Sequence, residues 1–492
     1  MDSRGIHPSG ITQALRSWRQ NPQDKVRKFI HTPVNEPIEL FSFRHISRTA
    51  TTHVLLSLVL LSKTLYHKSM FSIVVKFRQS EGLKHSALTI FSYSFASAFS
   101  ALAIILISRL LGPVDFADFS VAFSLSLILN RLNDFGFSIV IQKIVGGEWR
   151  RPKISAYLSL VLKYRLVISL VLLMLGLFFA TPIASYLQIS NPLLIPLTFI
   201  SSLPVSYFEI SQVTLQSLAK FKLAAYNYLL PSVLKFVMAL VIFLLQIRNV
   251  PLILSLYMFS CLPGLIVAEW LKPRWIKYQL TEVFKKEKPV IFNLLKHSAF
   301  ALIAAGVIDN IDIIFAKHYL SNYEAGLLAG VSRIAMLLYV VAYSLASVLN
   351  PRVTAYHKRA DFGAFLKKAW GITALTVLGF FVSLPFMPIL VKWTIGPAYL
   401  AGMDSLIVLL AVGFLSIIVV PFGATFYAFK SNRYFSLAAF LQLAIILVGN
   451  LVFVPRLGLV ASVYTRLVAR TALLVFTWAM LWWSYRREFG KK

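Results

Sequence analysis

The chain has 492 residues, of which 58% are hydrophobic and 14% charged. A soluble globular domain holds about 45–50% apolar and about 25% charged residues, so a water-soluble fold is excluded and lipid is the solvent for most of this chain. The formal net charge is +30, but the basic residues lie between long apolar runs rather than on one face with stacking aromatics, which points to the loop bias of a multi-pass membrane protein and away from nucleic acid.

In chain order, residues 1–86 form a tail with 13 basic and 5 acidic residues. Its longest apolar run, VLLSLVLLS at 54–62, is too short to span a bilayer, and a secretory signal would stand at the very start. This tail reads as a peripheral or disordered cytoplasmic segment, or as preceding a true start at Met70, where MFSIVVKFRQSEGLKH leads into the first apolar run.

A spanning helix needs about 20 mostly apolar residues. Twelve such runs follow. Six lie near 87–108, 117–143, 157–180, 193–217, 224–246 and 251–270, within a first unit at 87–271. A basic linker at 272–293 contains KPRWIKYQLTEVFKKEK. Six more lie near 294–316, 324–349, 370–391, 404–428, 434–454 and 459–484, within a second unit at 294–485, and a basic tail at 486–492 closes the chain. Loops after even-numbered spans, with the C-terminus, carry 23 basic residues against 5 after odd-numbered spans. That alternation predicts both termini in the cytoplasm, and one missed helix would scramble it. The predicted outer loops hold no more than a dozen residues each. They leave no room for a catalytic domain, so the work is expected inside the membrane. A single cysteine, Cys261, rules out an intrachain disulfide and thiolate metal sites; nine scattered histidines show no paired spacing, and no cofactor is expected.

The two halves look related. LISRLLGPVDFADFSVAFSLS follows the first span and IFAKHYLSNYEAGLLAGVSRI the seventh; aligning Leu111 with Leu320 pairs Asp115 with Glu324 and Ala117 with Gly326, an offset of about 209 residues. Internal helix repeats are how many transporters build a central, alternately exposed site. The stretch RLLGPVDFADFSVA…NDFGFSIVIQK resembles the opening signature of the polysaccharide-export branch of flippases, in the multidrug/oligosaccharidyl-lipid/polysaccharide exporter superfamily. DNIDIIFAKHYLSNYEAGLLAGVSRIAMLLYVVAYSLASVLNPR resembles the second-half signature of the same branch. The likeness covers about 87–484; it departs at Ala117, where glycine is usual, and in the N-terminal tail.

The resemblance implies an all-α polytopic membrane protein, with two repeated six-helix bundles around a central cavity. It implies an undecaprenyl-diphosphate-linked oligosaccharide, moved across the bacterial cytoplasmic membrane for surface polysaccharide such as lipopolysaccharide or exopolysaccharide. Implied partners are that lipid-linked oligosaccharide, membrane lipids, and a glycan polymerase with its chain-length machinery.

Ionisable groups inside spans are functional candidates, because lipid exposure costs a few kcal/mol or more. Asp309 and Asp312, in GVIDNIDIIF, stand three apart and share a face of span seven. They cannot comfortably both ionise in a dry site, so either, and Asp309 first as the deeper, is a candidate to carry a proton or help bind a cation. A pair solvated near the outer surface is the structural alternative. Cations suit a diphosphate cargo. Lys235 and Arg333 lie deep without an acidic neighbour on the same turn, and Arg131, Arg470, Lys163 and Arg165 also fall within spans. Arg131 has an alternative partner in Asp134, Lys163 and Arg165 could snorkel to the cytoplasmic interface, Arg466 could reach the outer headgroups, and Glu209 is a partner for one of the deep cations and a further candidate for proton or cation coupling. Prolines 204, 231, 263, 385, 388 and 421 permit bends. The NDFG at 133–136 lies in a predicted span without companion motifs and carries no kinase meaning.

The expectation is thus a flippase rather than an enzyme. A cation-coupled drug exporter of the same superfamily is the first alternative; it would want a net acidic cavity, whereas basic groups here outnumber acidic ones. A membrane glycan polymerase or ligase would need a larger outer loop, and a mere scaffold would leave the buried charges unexplained.

Overall fold

A computed structural model describes residues 81–147, 151–273, 275–276, 288–354, 356, 359–429 and 433–489. The expectations for the N-terminal tail and the Met70 start, and most of those for the basic linker, lie outside these residues.

The first helix, α1 (Glu81–Asp134), counts 54 residues, about 80 Å at 1.5 Å per residue and far more than one bilayer. It turns at Gly112, whose φ of 68° and ψ of 175° lie outside the helical region. A positive φ is open to glycine at no steric cost, and Pro113, with no N–H to lose, opens the second arm. The two arms are the first two predicted spans. Phe135 and Gly136, with φ of 44° and 85°, end the second arm and start α2 (Phe137–Gly147). The predicted span at 117–143 is therefore broken at the NDFG: the apolar FSIVIQK beyond it belongs to a separate helix. The carboxylate of Asp134 caps that helix, accepting from the Ser138 N–H at 3.1 Å and hydroxyl at 2.6 Å.

The first bundle continues with α3 (Arg151–Phe178), α4 (Ala180–Tyr186), α5 (Leu194–Ser217) and α6 (Phe221–Leu244). It closes with α7 (Val250–Phe259) and α8 (Cys261–Leu271), one crossing in two pieces. The second bundle holds α9 (Lys288–Tyr319), α10 (Asn322–Thr354), α11 (Arg359–Ser383), α12 (Met387–Trp393), α13 (Met403–Ala428), α14 (Arg433–Leu457) and α15 (Leu459–Phe489). Within the first, α1 packs on α5 and α6, and α5 on α3 and α8; within the second, α13 packs on α10 and α15, and α14 on α9 and α15. Eleven helical stretches among the described residues are long and apolar enough to cross a membrane, and the first serves as two crossings. The chain is a multi-pass, all-α membrane protein of twelve crossings, as its sequence indicates.

The repeat has a structural meaning at its best-matched residues. Gly112 in the first half corresponds to Ser321 in the second. There Ser321 and Glu324 form a reciprocal cap: the Glu324 N–H donates to Ser321 Oγ at 3.3 Å, and the Ser321 N–H donates to Glu324 Oε2 at 3.1 Å. Asp115 holds the corresponding place in α1, where a negative charge suits the start of a helix.

The bundles meet closely at the end opposite the basic loops, called here the far end. At Gly326 a Cβ would come 1.7 Å from the Pro113 carbonyl oxygen, so α10 rests directly on the turn of α1. Gly326→Ala is expected to force these backbones apart and to destabilise the protein by roughly 1–3 kcal/mol or more, read as a fall in melting temperature; an unchanged melt would show that the turn yields freely. Beside it the Tyr399 hydroxyl donates to the Ser108 carbonyl at 2.9 Å and Arg109 to the Trp393 carbonyl at 3.0 Å. The His318 ring stacks on Tyr186 at 3.9 Å, and Gln188 donates to the His318 carbonyl at 3.0 Å. Lys317, which belongs by sequence to the predicted far-end loop, is fully buried and pairs with the buried Asp118 at 2.6 Å. Asp118 also accepts from the Ser190 N–H at 3.0 Å. At the basic end, Ile291 and Leu295 of α9 join a first-bundle cluster with Val140 and Leu158, so α9 touches both bundles.

Candidate functional site

Besides the far-end pair of Asp118 and Lys317, two clusters of buried polar groups stand out, one in each bundle. In the first, a cavity of about 250 Å³ lies between α1, α5, α6, α7 and α8. Lys235 of α6 enters it with Nζ 4.8 Å from the centre of the Tyr257 ring, a cation–π contact. Also on its wall, Glu209 of α5 accepts from the Asn130 amide at 2.9 Å and pairs with Arg165 of α3 at 3.2 Å. Arg165 reaches Asp134 as well, at 3.2 Å, with its side chain only 1% exposed. One guanidinium thus holds two carboxylates from two other helices.

In the second bundle, Asp312 of α9 forms a buried ion pair with Arg466 of α15 and accepts from Asn450 of α14 at 3.2 Å. Arg466 also donates to the carbonyl oxygens of Ile308 and Asp309, each at 3.1 Å. It is thereby seated on the backbone of α9 as well as on its carboxylate. Asp309, one turn earlier, lines a narrow cleft with Gln442, Arg466 and Arg470. Its carboxylate has no hydrogen bond or ion pair among the described residues.

The structure brings Lys235 and Glu209 to one cavity and Asp309 and Arg470 to one cleft. Arg131 is exposed and lies across Gly306 of α9, where a Cβ would come 2.4 Å from its Cγ; its side chain thus bridges the bundles between the two clusters. Arg333 is buried, with its guanidinium 4.8 Å from the Phe123 ring and 3.5 Å from the Ser124 hydroxyl, and is packed between α10 and α1. Arg470 lies 5.5 Å from the Tyr339 ring. Lys163 is apart from all of these, on an exposed face of α3.

Three pairings differ from the sequence expectation. Asp134 binds Arg165 and not Arg131. Arg165 does not snorkel, and Arg466 does not reach for headgroups: two carboxylates hold the first inside its bundle, and one carboxylate with two carbonyls holds the second. The fate of Arg165 was legible, because residues two apart on a helix point to different sides, so Lys163 and Arg165 could not both snorkel from one face. Asp118 was missed altogether, since its partner, Lys317, read as a loop charge.

The family described as "Polysaccharide biosynthesis protein" matches residues 83–357, more than half of the chain. No curated protein matches it by sequence. Among solved structures, the lipid II flippase MurJ in an inward closed conformation superposes with a TM-score of 0.65 at 16% identity, over 80% of this chain and 87% of that one. An inward-facing multidrug resistance MATE family transporter of the MOP superfamily gives 0.63 at 14% identity, over 81% of this chain and 99% of that one. An outward-facing MATE transporter gives 0.52 at 13% identity, over 83% and 95%. These likenesses agree with the twelve-crossing fold, and with the family match running from the first bundle into the second, the chain belongs to the polysaccharide biosynthesis protein family.

Proposed function

We propose that the protein flips an undecaprenyl-diphosphate-linked oligosaccharide from the cytoplasmic to the outer leaflet of a bacterial cytoplasmic membrane, for surface polysaccharide assembly. In this reading the basic end and both termini are cytoplasmic, the far end faces outward, and no covalent chemistry occurs. The observation that carries it is the charge left over after pairing. Asp118 is paired with Lys317, Asp134 and Glu209 with Arg165, and Asp312 with Arg466. Arg131, Lys235 and Arg470 have no ion pair among the described residues. The uncommitted charge between the helices is thus mainly positive, which suits an anionic diphosphate and repels organic cations. The membrane lipids and a polymerase that takes up the exposed glycan are the partners this reading supplies.

A cation-coupled drug exporter is the second reading, favoured by the likeness to MATE transporters and by Asp309, an acid inside a crossing with no ion pair or hydrogen bond to its carboxylate among the described residues. A proteoliposome assay separates the two. It follows how fast the glycan of the host's own lipid-linked oligosaccharide becomes accessible to an external lectin, with and without the protein. Protein-dependent exposure is the expected result; no exposure beside efflux of a cationic dye would reverse the assignment.

Asp309 is the carboxylate free to exchange a proton during such a cycle. Asp309→Asn is expected to keep the fold and flatten the pH dependence of flipping. Asp312→Asn, which strands Arg466, is expected to lower stability by about 3 kcal/mol. Flipping rates across pH and thermal melts check both, and an unaltered pH profile in Asp309→Asn would remove the coupling role.

A further inference from the structure

The first-bundle cavity has a lining of unusual polarity for a membrane interior. The hydroxyls of Ser126, Ser201 and Ser202 each donate to a carbonyl of their own helix, at 2.7, 2.8 and 2.7 Å, and Ser232 does so at 3.2 Å. Their protons are committed, so these oxygens remain as acceptors at the cavity wall. Asn130 adds another. Its amide nitrogen must face the carboxylate of Glu209, which only accepts, and its oxygen has no hydrogen-bond partner. Among these acceptors stands one cationic, uncommitted donor, the ammonium of Lys235, held beside the Tyr257 ring.

A ligand that satisfies this lining must donate several hydrogen bonds and present one negative group. Its size is limited too: the cavity, about 250 Å³, falls below the about 300 Å³ at which sites for drug-sized molecules begin. A diphosphate does not fit these terms, because it donates almost nothing and wants several cations, best as arginine forks. An organic cation would meet the ammonium. A single sugar ring bearing a carboxylate fits: hydroxyls donate to the serine and asparagine oxygens, the carboxylate takes Lys235, and a ring face lies along the aromatic wall of Tyr257 and Phe123.

We propose that this cavity is a selectivity site for one acidic sugar, of the uronic acid class, in the transported glycan, with Lys235 as its carboxylate ligand. This rests on the flippase reading and adds which sugar chemistry the protein admits.

The test uses the full-length protein in nanodiscs, with glucuronate, glucose and tetraphenylphosphonium as probes. Binding is measured by calorimetry, and location by the alkylation rate of Cys261, the chain's one cysteine, which lines the cavity. Glucuronate is expected to bind and slow alkylation, and glucose to do so more weakly. Lys235→Met should weaken glucuronate binding about tenfold or more, the loss of one charge-assisted hydrogen bond, whereas Lys235→Arg should retain most of it. No glucuronate binding, equal protection by glucose, or unchanged affinity in Lys235→Met each overturns the proposal. If glycan exposure in proteoliposomes persists in those cases, only this proposal fails. If exposure is absent and tetraphenylphosphonium alone protects Cys261, the flippase reading fails with it.

Discussion

Replacing Arg165 with leucine is expected to cost the protein most of its stability, the largest effect of any single substitution in the first bundle. Arg165 is the only cation in contact with Asp134 and Glu209 among the described residues. Its removal leaves two carboxylates without a cation between the helices, Asp134 buried and Glu209 on the cavity wall. Breaking a buried pair by deleting one partner costs about 3–5 kcal/mol, a large part of the roughly 5–15 kcal/mol that holds a protein folded. The loss comes from stranding the acids rather than from losing the pair's own attraction. Arg165→Leu combined with Asp134→Asn and Glu209→Gln should therefore recover much of the stability. Thermal melting of the detergent-solubilised protein, followed by size-exclusion chromatography, checks this; a single mutant melting like the parent would mean that water reaches the acids and the cluster is not dry.

Lys317→Met is expected to act on the conformational balance. Lys317 and Asp118 tie α9 to α1, and through Ser190 to the loop before α5, so the contact joins the two bundles at the far end. On the flippase reading, in which the far end faces outward, opening toward the outside breaks it. Losing the pair removes about 3–5 kcal/mol from the far-end-closed state, enough to shift the ratio of the two states by about 100-fold or more. A cysteine at Ser124, buried between α1 and α10, in a Cys261→Ala background reports the change. It should react with an external thiol reagent much faster when Lys317 is methionine. An unaltered rate would show that the tyrosine, arginine and histidine contacts alone keep this end shut.

The crossings were legible because each is long and apolar enough to announce itself. The exceptions have local causes. FSIVIQK is apolar and continuous with span two, yet two successive positive-φ residues at Phe135 and Gly136 cut it off, and hydropathy does not see backbone conformation. The site was legible as a set of buried charges but not as a set of pairs. Asp309 and Asp312 look alike in sequence; only the placement of Arg466, on the last crossing, separates a committed carboxylate from a free one. Pairing depends on which helix faces meet, and that is set by packing between segments more than a hundred residues apart, such as Asn450 on Asp312.

The contact between Arg333 and Ser124 spans 209 positions, the same offset as the repeat. These two residues are thus counterparts, one in each half, and they touch. Both halves cross the membrane in the same sense, so the pseudo-twofold axis that relates them runs along the membrane normal. A residue on such an axis faces its own twin. A chain made of two first halves would set serine against serine there, which is harmless. A chain made of two second halves would set one guanidinium against another with no counter-charge. The second half can therefore carry this arginine only because the first half does not, and the two halves cannot be exchanged for one another at their point of closest kinship.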